Sequence, residues 1–300
     1  MNKEYAVGID IGGTHITTAI IDIINMQVID PSLHKEFFDS NMPVEAVMSI
    51  WEKSIRTSVK NSEVEEIKGL AVCMPGPFDY ANGLCWIKDQ SKYEHFYGLN
   101  VRYLIQGTLN LSSEFPILFE NDAVCFGKGE VHKDAANLSK KVMAITLGTG
   151  LGACFIDNGI SISSGELVPA DGEIYNIPFK ESIAEDYVSA RGLLRRYKKL
   201  TGQNLNDGLE LFNLALAEDE HAKKAFEEMG EDLASIVIPW LEKFGADSFI
   251  IGGKIANASE FFLPSFNKKI KEAGMEIKIT VSTDNEAAAL LGAASMLYKA

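Results

Sequence analysis

Short apolar runs and longer stretches of helical periodicity alternate along the chain, which predicts a mixture of strands and helices. The apolar runs predict strands at 5–9, 16–24, 69–74, 117–119, 142–147, 153–156 and 248–251. Apolar residues spaced three and four apart predict helices at 43–60, 182–199, 220–244 and 287–298. In the third helix, Pro239 should cause a kink or a break, and Gly245 should end it. Such alternation is typical of α/β proteins.

The opening pattern of the chain, a strand followed by a glycine turn and a second strand, recurs near its middle. The first turn is Asp10-Ile-Gly-Gly-Thr14, and the second is Gly148-Thr-Gly-Leu-Gly152. The recurrence suggests a duplicated fold in which one ligand touches both turns. Glycine turns are common, so recurrence by chance is the alternative interpretation.

Composition and charge narrow the range of functions. Of the 300 residues, 46% are hydrophobic and 23% charged, which excludes disorder, collagen and coiled coil for the whole chain. The net charge of −14 disfavours binding to nucleic acid or to an anionic membrane surface. We expect a cytoplasmic protein, because no apolar run could span a membrane and no signal peptide precedes the first strand. The four cysteines form no Cys-x-x-Cys pair, which favours buried, reduced thiols.

Three glycine-rich corners at strand ends are candidate phosphate or nucleotide sites. Gly12-Gly13-Thr14 offers backbone N–H groups and a hydroxyl to an oxyanion, and Asp10 before it could hold Mg²⁺ through water. Gly148-Thr149-Gly150 offers a second cradle, although it lacks the ending of a Walker A loop. Gly252-Gly253 offers a third corner, against which a flat ring could lie. A plain turn is the alternative at each corner.

Two polar residues after the strand at 117–119 are the sharpest candidates for catalysis. Asn121 and Asp122 stand at the carboxyl end of that strand, where open α/β sheets bind ligands. A carboxylate there can accept a proton from a substrate hydroxyl. The alternative is that either residue only caps the next helix.

Two further acids have comparable alternatives. Glu173 could be an ordinary loop carboxylate, and Glu185 could belong to a capping box, Ser182-Ile-Ala-Glu185. The basic run at 191–199 is predicted to be a solvated helix face.

The order and spacing of several motifs resemble the ROK family of sugar kinases and repressors over essentially the whole chain. Each motif is weak alone, but the ordered set is specific. The motifs are Asp10-Ile-Gly-Gly-Thr14, Met74-Pro-Gly-Pro77, Glu120-Asn-Asp-Ala123, Leu147-Gly-Thr-Gly-Leu-Gly152, Gly172-Glu-Ile-Tyr-Asn176, Glu185-Asp-Tyr-Val-Ser-Ala-Arg-Gly-Leu193, Ile251-Gly-Gly253 and the closing helix at 287–297.

The resemblance implies an α/β fold of the actin/hexokinase type, in which a ribonuclease-H-like core is duplicated in two domains around a central cleft. The smaller domain should cover 1–120, with the C-terminal helix at 284–300 packing back on it. The larger domain should cover 121–283.

The resemblance also implies ATP and Mg²⁺ as cofactors and a hexose, glucose or a related sugar, as phosphoryl acceptor. Asp122 would be the general base and contact the sugar, whose other contacts would be Asn121, Glu173, Asn176 and Glu185. The turns at 12–14 and 148–150 would hold the triphosphate, with Asp10 near Mg²⁺. Gly252 and Gly253 would face the adenosine.

Two departures from the family pattern concern the sugar segment. Many members carry a cysteine-rich zinc cluster where this chain has 177–184 without cysteine, and a histidine where it has Asn176. We therefore predict no zinc site, and the departures leave the hexose open. We expect a homodimer that binds neither nucleic acid nor membrane.

Two other functions compete with a hexose kinase. A sugar-sensing transcriptional regulator of the same family would need a DNA-reading module, for which no room is expected before a core that begins at Tyr5. A sugar-binding protein without turnover is disfavoured by the presence of both Asp10 and Asp122.

Overall fold

Two units divide the chain in the computed structural model, which describes residues 4–90, 92–134 and 137–298. The first unit comprises Met1–Lys133 and Glu286–Ala300, and the second comprises Asp134–Asn285. The structural division therefore lies one helix beyond the sequence-based boundary at 120, because that helix continues the last strand of the first unit.

Each predicted strand is present, and the structure adds further strands and helices that the sequence periodicity did not predict. The strands are β1 (Tyr5–Ile11), β2 (His15–Asp22), β3 (Gln27–Val28), β4 (His34–Phe37), β5 (Leu70–Met74), β6 (Phe78–Asp79), β7 (Leu84–Cys85), β8 (Ile117–Asn121), β9 (Lys141–Leu147), β10 (Leu151–Asp157), β11 (Ile160–Ser161), β12 (Pro178–Phe179), β13 (Ser182–Ile183), β14 (Ser248–Gly252) and β15 (Lys278–Val281). The helices are α1 (Val44–Ser62), α2 (Val101–Leu109), α3 (Asp122–Lys133), α4 (Glu185–Val188), α5 (Ala190–Thr201), α6 (Gly208–Leu216), α7 (Glu220–Phe244), α8 (Ser259–Glu272) and α9 (Asn285–Ala294). In the part of the chain that the structure describes, none of the helices is long and apolar enough to cross a membrane.

The main sheets of the two units share one plan. In the first unit the strand order is β3-β2-β1-β5-β8, and β4 also pairs with β2. In the second unit the order is β11-β10-β9-β14-β15. Each sheet begins with an antiparallel hairpin, and two parallel strands extend it beside the first strand of that hairpin. The predicted duplication is therefore confirmed.

Both faces of the first sheet are buried, as strand β1 illustrates. Val7 and Ile9 lie in the cluster that includes Trp51 of α1, whereas Ala6 packs with Leu290 of α9 in another cluster. Successive side chains of a strand point to opposite faces, so α1 and α9 cover different sides. A Cβ on Gly8 would lie 3.0 Å from the carbonyl oxygen of Leu290, which explains the glycine there. The C-terminal helix thus completes the first unit.

The long helix α7 supports the second unit. It runs from Glu220 to Phe244 with Pro239 inside it, so of the predicted kink or break the break does not occur. Gly245 ends the helix in the left-handed conformation, at a φ of 70°, as predicted. The Phe244 ring packs edge-on against Phe155 of β10, with centroids 5.2 Å apart, and so ties the helix to the sheet.

The single helix predicted at 182–199 is wrong. Strand β13, the short helix α4 and helix α5 occupy this stretch, and Ser189 is extended between the two helices (φ −96°, ψ 174°). The extended residue lets Ala190 donate its N–H to the carbonyl oxygen of Gly148 at 2.9 Å. The predicted capping box is absent too, because the Ser182 hydroxyl donates to the Asp186 carboxylate instead.

Candidate functional site

Acidic residues gather at one edge of the first sheet. Strands β1, β5 and β8 are parallel, so their carboxyl ends lie side by side. Asp10 is in register with Cys73 of β5, which is in register with Glu120 of β8. Asp122 follows at the first position of α3. The topology thus brings together the two carboxylates, Asp10 and Asp122, that the sequence singles out.

Asp10 carries an unusually high pKa for an aspartate. Burial is the main cause, and the nearby carboxylates of Asp122 and Glu286 add to it, which together raise the pKa from 3.8 to about 7. Lys35 opposes this effect but also forms an ion pair with Glu286. The Asp10 carboxylate therefore lies in a region with too little positive charge to balance it.

Asp122 is accessible to solvent and held in place by the backbone. Its Oδ1 accepts the N–H of Ala123 at 2.8 Å. Desolvation by the surrounding protein raises the pKa of Asp122, while the hydrogen bond from Ala123 and the charge of Lys92 lower it. A carboxylate with a raised pKa, fixed at a sheet edge and open to solvent, is suited to accept a proton from a bound hydroxyl.

The side chain of Asn121, next to Asp122, makes hydrogen bonds within the protein. Its Oδ1 caps α3 by accepting the N–H groups of Ala123 at 2.9 Å and Val124 at 3.4 Å. Its Nδ2 donates to the Tyr80 hydroxyl at 3.1 Å. The capping interpretation is therefore confirmed for this residue, and the cap fixes the start of the helix that carries Asp122.

In the first glycine turn, the backbone of Gly12 is held by hydrogen bonds, and Thr14 is exposed. The N–H of Gly12 donates to the carbonyl oxygen of His15 at 2.9 Å, which closes the β1–β2 hairpin. The hydroxyl of buried Tyr93 donates to the carbonyl oxygen of Gly12 at 2.5 Å. Thr14 is exposed at the tip of the turn. The turn therefore has a fixed backbone and presents Thr14 to solvent.

Sequence reasoning missed Lys92, which lies at this turn. A Cβ on Gly13 would lie 3.9 Å from Cδ and 4.0 Å from Cβ of Lys92, so the side chain runs alongside the turn. The positive charge of Lys92 also lowers the pKa of Asp122. Lys92 belongs to no motif and to no regular element, so the sequence alone carries no signal for it.

The second glycine turn rests on Glu185. Glu185 Oε2 accepts the N–H of Leu151 at 3.0 Å, and a Cβ on Gly150 would lie 2.6 Å from the same oxygen. Arg191 donates to the other oxygen, Oε1, at 2.7 Å. The carbonyl oxygen of Gly148 accepts the N–H of Ala190 at 2.9 Å, and Thr149 is exposed. Glu185 therefore lies directly at the Gly148–Gly150 turn with one carboxylate oxygen hydrogen-bonded to its backbone.

The remaining predicted sugar residues lie near Glu185 in the second unit. Burial raises the pKa of Tyr175, and the charges of Glu173 and Glu185 raise it further, so both carboxylates are close to this phenol. The backbone N–H of Glu185 donates to the carbonyl oxygen of Tyr175 at 3.0 Å. Asn176 is exposed next to it. The structure thus gathers Glu173, Asn176 and Glu185 around one loop.

The third glycine corner has a structural reason for its glycine. Gly253 adopts a φ of +86°, and a Cβ there would lie 2.3 Å from the carbonyl oxygen of Leu147. Its N–H donates to Asn285 Oδ1 at 2.9 Å. One face of this corner is therefore covered by the end of β9.

The basic run at 191–199 is only partly solvated. Arg191 is exposed and pairs with Glu185 and with Asp186. Arg196 is only 11% exposed and donates to Asp232 of α7 at 2.7 Å. The prediction of a solvated face is therefore wrong for Arg196, which ties α5 to α7.

Comparison with known proteins places these sites in context. The profile of the ROK family matches residues 6–300. A glucokinase of Thermotoga maritima is 23% identical over 99% of this chain and 98% of its own length. A xylose repressor of Bacillus subtilis is 23% identical over 99% of this chain and 78% of its own length. Among solved structures, a ROK glucokinase of Streptomyces griseus in complex with glucose and AMPPNP superposes with a TM-score of 0.74 at 20% identity, covering 97% and 98% of the two chains.

Proposed function

We propose that this chain, which belongs to the ROK family, is a sugar kinase that transfers the terminal phosphoryl group of ATP to a hydroxyl of a hexose. The match over residues 6–300 confirms the resemblance drawn from the motifs, and the fold is of the actin/hexokinase type. The observation that carries the proposal is Asp122, a solvent-accessible carboxylate with a raised pKa at the same sheet edge as Asp10.

Asp122 would act as the general base. As the acceptor oxygen forms its bond to the γ-phosphorus, the bond from that phosphorus to the leaving ADP breaks. The proton of the acceptor hydroxyl passes to the Asp122 carboxylate. The N–H of Ala123 would keep the carboxylate oriented during this transfer, and the Asn121 cap would hold the helix start in place.

The two glycine turns, at Gly12–Thr14 and Gly148–Gly150, are proposed to hold the phosphates, and Gly252-Gly253 to face the adenosine. Exposed Thr14 and Thr149 would add hydroxyl donors. The N–H groups of Gly12 and Gly148 are used within their own hairpins, so the remaining backbone N–H groups of each turn would bind the oxyanions. The glucokinase of Streptomyces griseus was solved with AMPPNP and glucose, which supports ATP as donor here.

Asp10 fits a Mg²⁺ ion held through water. Two other carboxylates raise its pKa, so a divalent cation would relieve their repulsion. The described residues contain no group of three or more His, Cys, Asp or Glu side chains that could hold a metal. Mg²⁺ usually binds through one or two carboxylates together with substrate phosphates and water, so the proposed site needs no such group. When bound, the ion would neutralise charge on the phosphates.

Glu173, Asn176 and Glu185 are proposed to bind the sugar hydroxyls. A carboxylate accepts hydrogen bonds from hydroxyl groups, and an amide both donates and accepts them. The Glu185 oxygen that is bonded to Leu151 would also link the sugar segment to the second glycine turn.

The test is ADP release by the purified protein with Mg²⁺·ATP and a panel of hexoses and aminosugars. At least one sugar should be consumed in a 1:1 ratio to ADP. The family also contains repressors, such as the xylose repressor of Bacillus subtilis. Sugar binding without any sugar-dependent ADP release would therefore contradict the kinase and favour a regulator or a sugar-binding protein.

A further inference from the structure

Lys92 is a cation that the motifs do not account for. Its side chain runs alongside Gly13 of the first glycine turn, and its charge acts on Asp122. It is therefore near both the turn proposed to hold phosphate and the carboxylate proposed to accept the proton.

The ammonium group of Lys92 is available to a ligand. No hydrogen bond or ion pair engages it within residues 4–90, 92–134 and 137–298. The other lysine near this edge, Lys35, is paired with Glu286. Lys92 is half-buried, so part of the cost of removing it from water has already been met in the folded protein.

The backbone that carries Lys92 is held in place. The next residue, Tyr93, is fully buried and packs edge-on against Trp51 and Phe96. Its hydroxyl donates to the carbonyl oxygen of Gly12. These contacts hold the backbone of Lys92 beside the glycine turn, so the lysine stem starts from a fixed position.

We propose that Lys92 contacts the γ-phosphoryl group of ATP and stabilises the negative charge on it during transfer to the acceptor. This inference rests on the proposed function and adds a catalytic residue to it. Phosphoryl transfer depends on positioned positive charge around the equatorial oxygens, and a lysine beside both the phosphate turn and the base meets that need.

An alternative would be a contact between Lys92 and the acceptor sugar. The position beside Gly13 favours the phosphoryl group, because the stem of the side chain follows the phosphate turn itself. A contact with the γ-phosphoryl group would make loss of Lys92 weaken AMPPNP binding more than ADP binding, whereas a contact with the sugar would not. Binding measurements can therefore separate the two.

The experiment compares Lys92→Met with Lys92→Arg in the full chain. Calorimetric titrations with Mg²⁺ and no sugar would measure the affinities for AMPPNP and for ADP. We expect Lys92→Met to lose about tenfold in affinity for AMPPNP and to keep its affinity for ADP, because only the former has a γ-phosphoryl group. Lys92→Arg should keep most of both affinities.

Lys88→Met is the matched control. Lys88 is exposed four residues before Lys92, and its Nζ lies 5.5 Å from the centroid of the Tyr97 ring. Its substitution therefore removes one positive charge, as Lys92→Met does, but at a different position. Its affinities for both nucleotides should match those of the unmutated protein. In turnover, Lys92→Met should lower kcat by ~10²-fold and leave the KM for sugar unchanged.

Equal losses of AMPPNP and ADP affinity, or a raised KM for sugar with AMPPNP binding intact, would overturn the assignment. The binding contrast needs no acceptor, so it remains decisive if no hexose tested is phosphorylated. In that case the proposed function fails in the ADP-release assay, while the contrast between the two nucleotides still decides the role of Lys92. Absence of any nucleotide binding by the unmutated protein would refute both.

Discussion

At the scale of single residues, Asp122 decides whether the proposed chemistry occurs. Asp122→Asn keeps the size of the side chain and the hydrogen bond from Ala123 but cannot accept a proton. We expect kcat to fall ~10²–10⁴-fold, which is the usual contribution of a general base. Steady-state ADP release and sugar binding by calorimetry would measure both effects.

Sugar affinity should stay close to normal in this variant, and its thermal unfolding should match that of the unmutated protein. Near-normal turnover of Asp122→Asn would show that Asp122 is not the general base and serves only as the first residue of α3. Asn121→Ala, which removes the α3 cap, tells the two roles apart, because a merely structural residue would lower stability together with turnover.

Asp10 makes stability depend on pH. Its pKa is about 7 in the folded protein against 3.8 ordinarily, so between these values the folded state holds a proton that the unfolded chain has released. The free energy of unfolding therefore decreases as pH rises through this window. Asp10→Asn removes the buried charge, so its Tm should exceed that of the unmutated protein at pH 8 and by much less at pH 4.

Thermal unfolding without nucleotide or Mg²⁺ would measure this difference. Asp89→Asn is the control, because Asp89 is exposed in the same unit and its loss changes the net charge equally. A lower Tm for Asp10→Asn than for the unmutated protein at pH 8 would contradict the account of an unneutralised carboxylate.

At the scale of elements, the Gly252-Gly253 corner sets how β14 meets β9. Gly253→Ala would place a methyl group 2.3 Å from the Leu147 carbonyl oxygen at a φ of +86°, which only glycine adopts without strain. We expect a loss of more than ~1 kcal/mol in the free energy of unfolding. Urea unfolding would measure it.

Gly148→Ala is the matched control for Gly253→Ala. Apart from Gly148 itself and its two chain neighbours, no described residue has an atom within 4 Å of a Cβ built there, so the stability of this variant should change little. Equal unfolding midpoints for the two alanine variants would show that the corner can rearrange, and the structural reason for Gly253 would then fail.

Elements were predictable from the sequence where one local signal dominates. Helix α7 has a long apolar stripe and a glycine stop, and both of its ends were predicted correctly. The stretch at 182–199 also has helical periodicity, yet it breaks at Ser189 because Ala190 bonds to Gly148, about forty residues away. A tertiary hydrogen bond of this kind leaves no periodic trace in the sequence.

The same limit applies to the candidate site. Asp10 and Asp122 were predictable because each lies at the carboxyl end of a strand, and parallel strands bring these ends together. Lys92 lies on no element, and Tyr93 fixes it through a contact with Gly12, eighty-one positions away. Only the folded chain brings this lysine to the glycine turn.

At the scale of the whole molecule, the duplicated plan explains how one chain builds two glycine turns. Each turn closes the hairpin that starts its sheet, and in each the backbone is fixed from a distance. Tyr93 holds the first turn, and Glu185 together with Ala190 holds the second. The two sheets have matching strand orders, but different side-chain and backbone contacts hold their glycine turns.

The cysteines of the whole chain bear on metal content. All four, Cys73, Cys85, Cys125 and Cys154, are buried, and the first three belong to the unit that does not contain the proposed sugar segment. Structural zinc needs about four Cys or His ligands. Near Glu173 and Glu185, the chain is held by the β12–β13 pair and by the ring contact of Phe179 with Tyr187, whose centroids are 5.2 Å apart.

We therefore expect the purified protein to contain no stoichiometric zinc by elemental analysis. Sugar-dependent ADP release should survive a zinc-selective chelator while Mg²⁺ is kept in excess, because no step assigned here depends on zinc. Phe179→Ala should raise the KM for sugar, because it removes the ring contact with Tyr187 next to the proposed sugar residues. Phe261→Ala in α8 is the control for loss of a partly buried ring elsewhere in the same unit. About one zinc per chain, lost together with activity on chelation, would overturn this account and make the 172–187 segment a metal-supported loop.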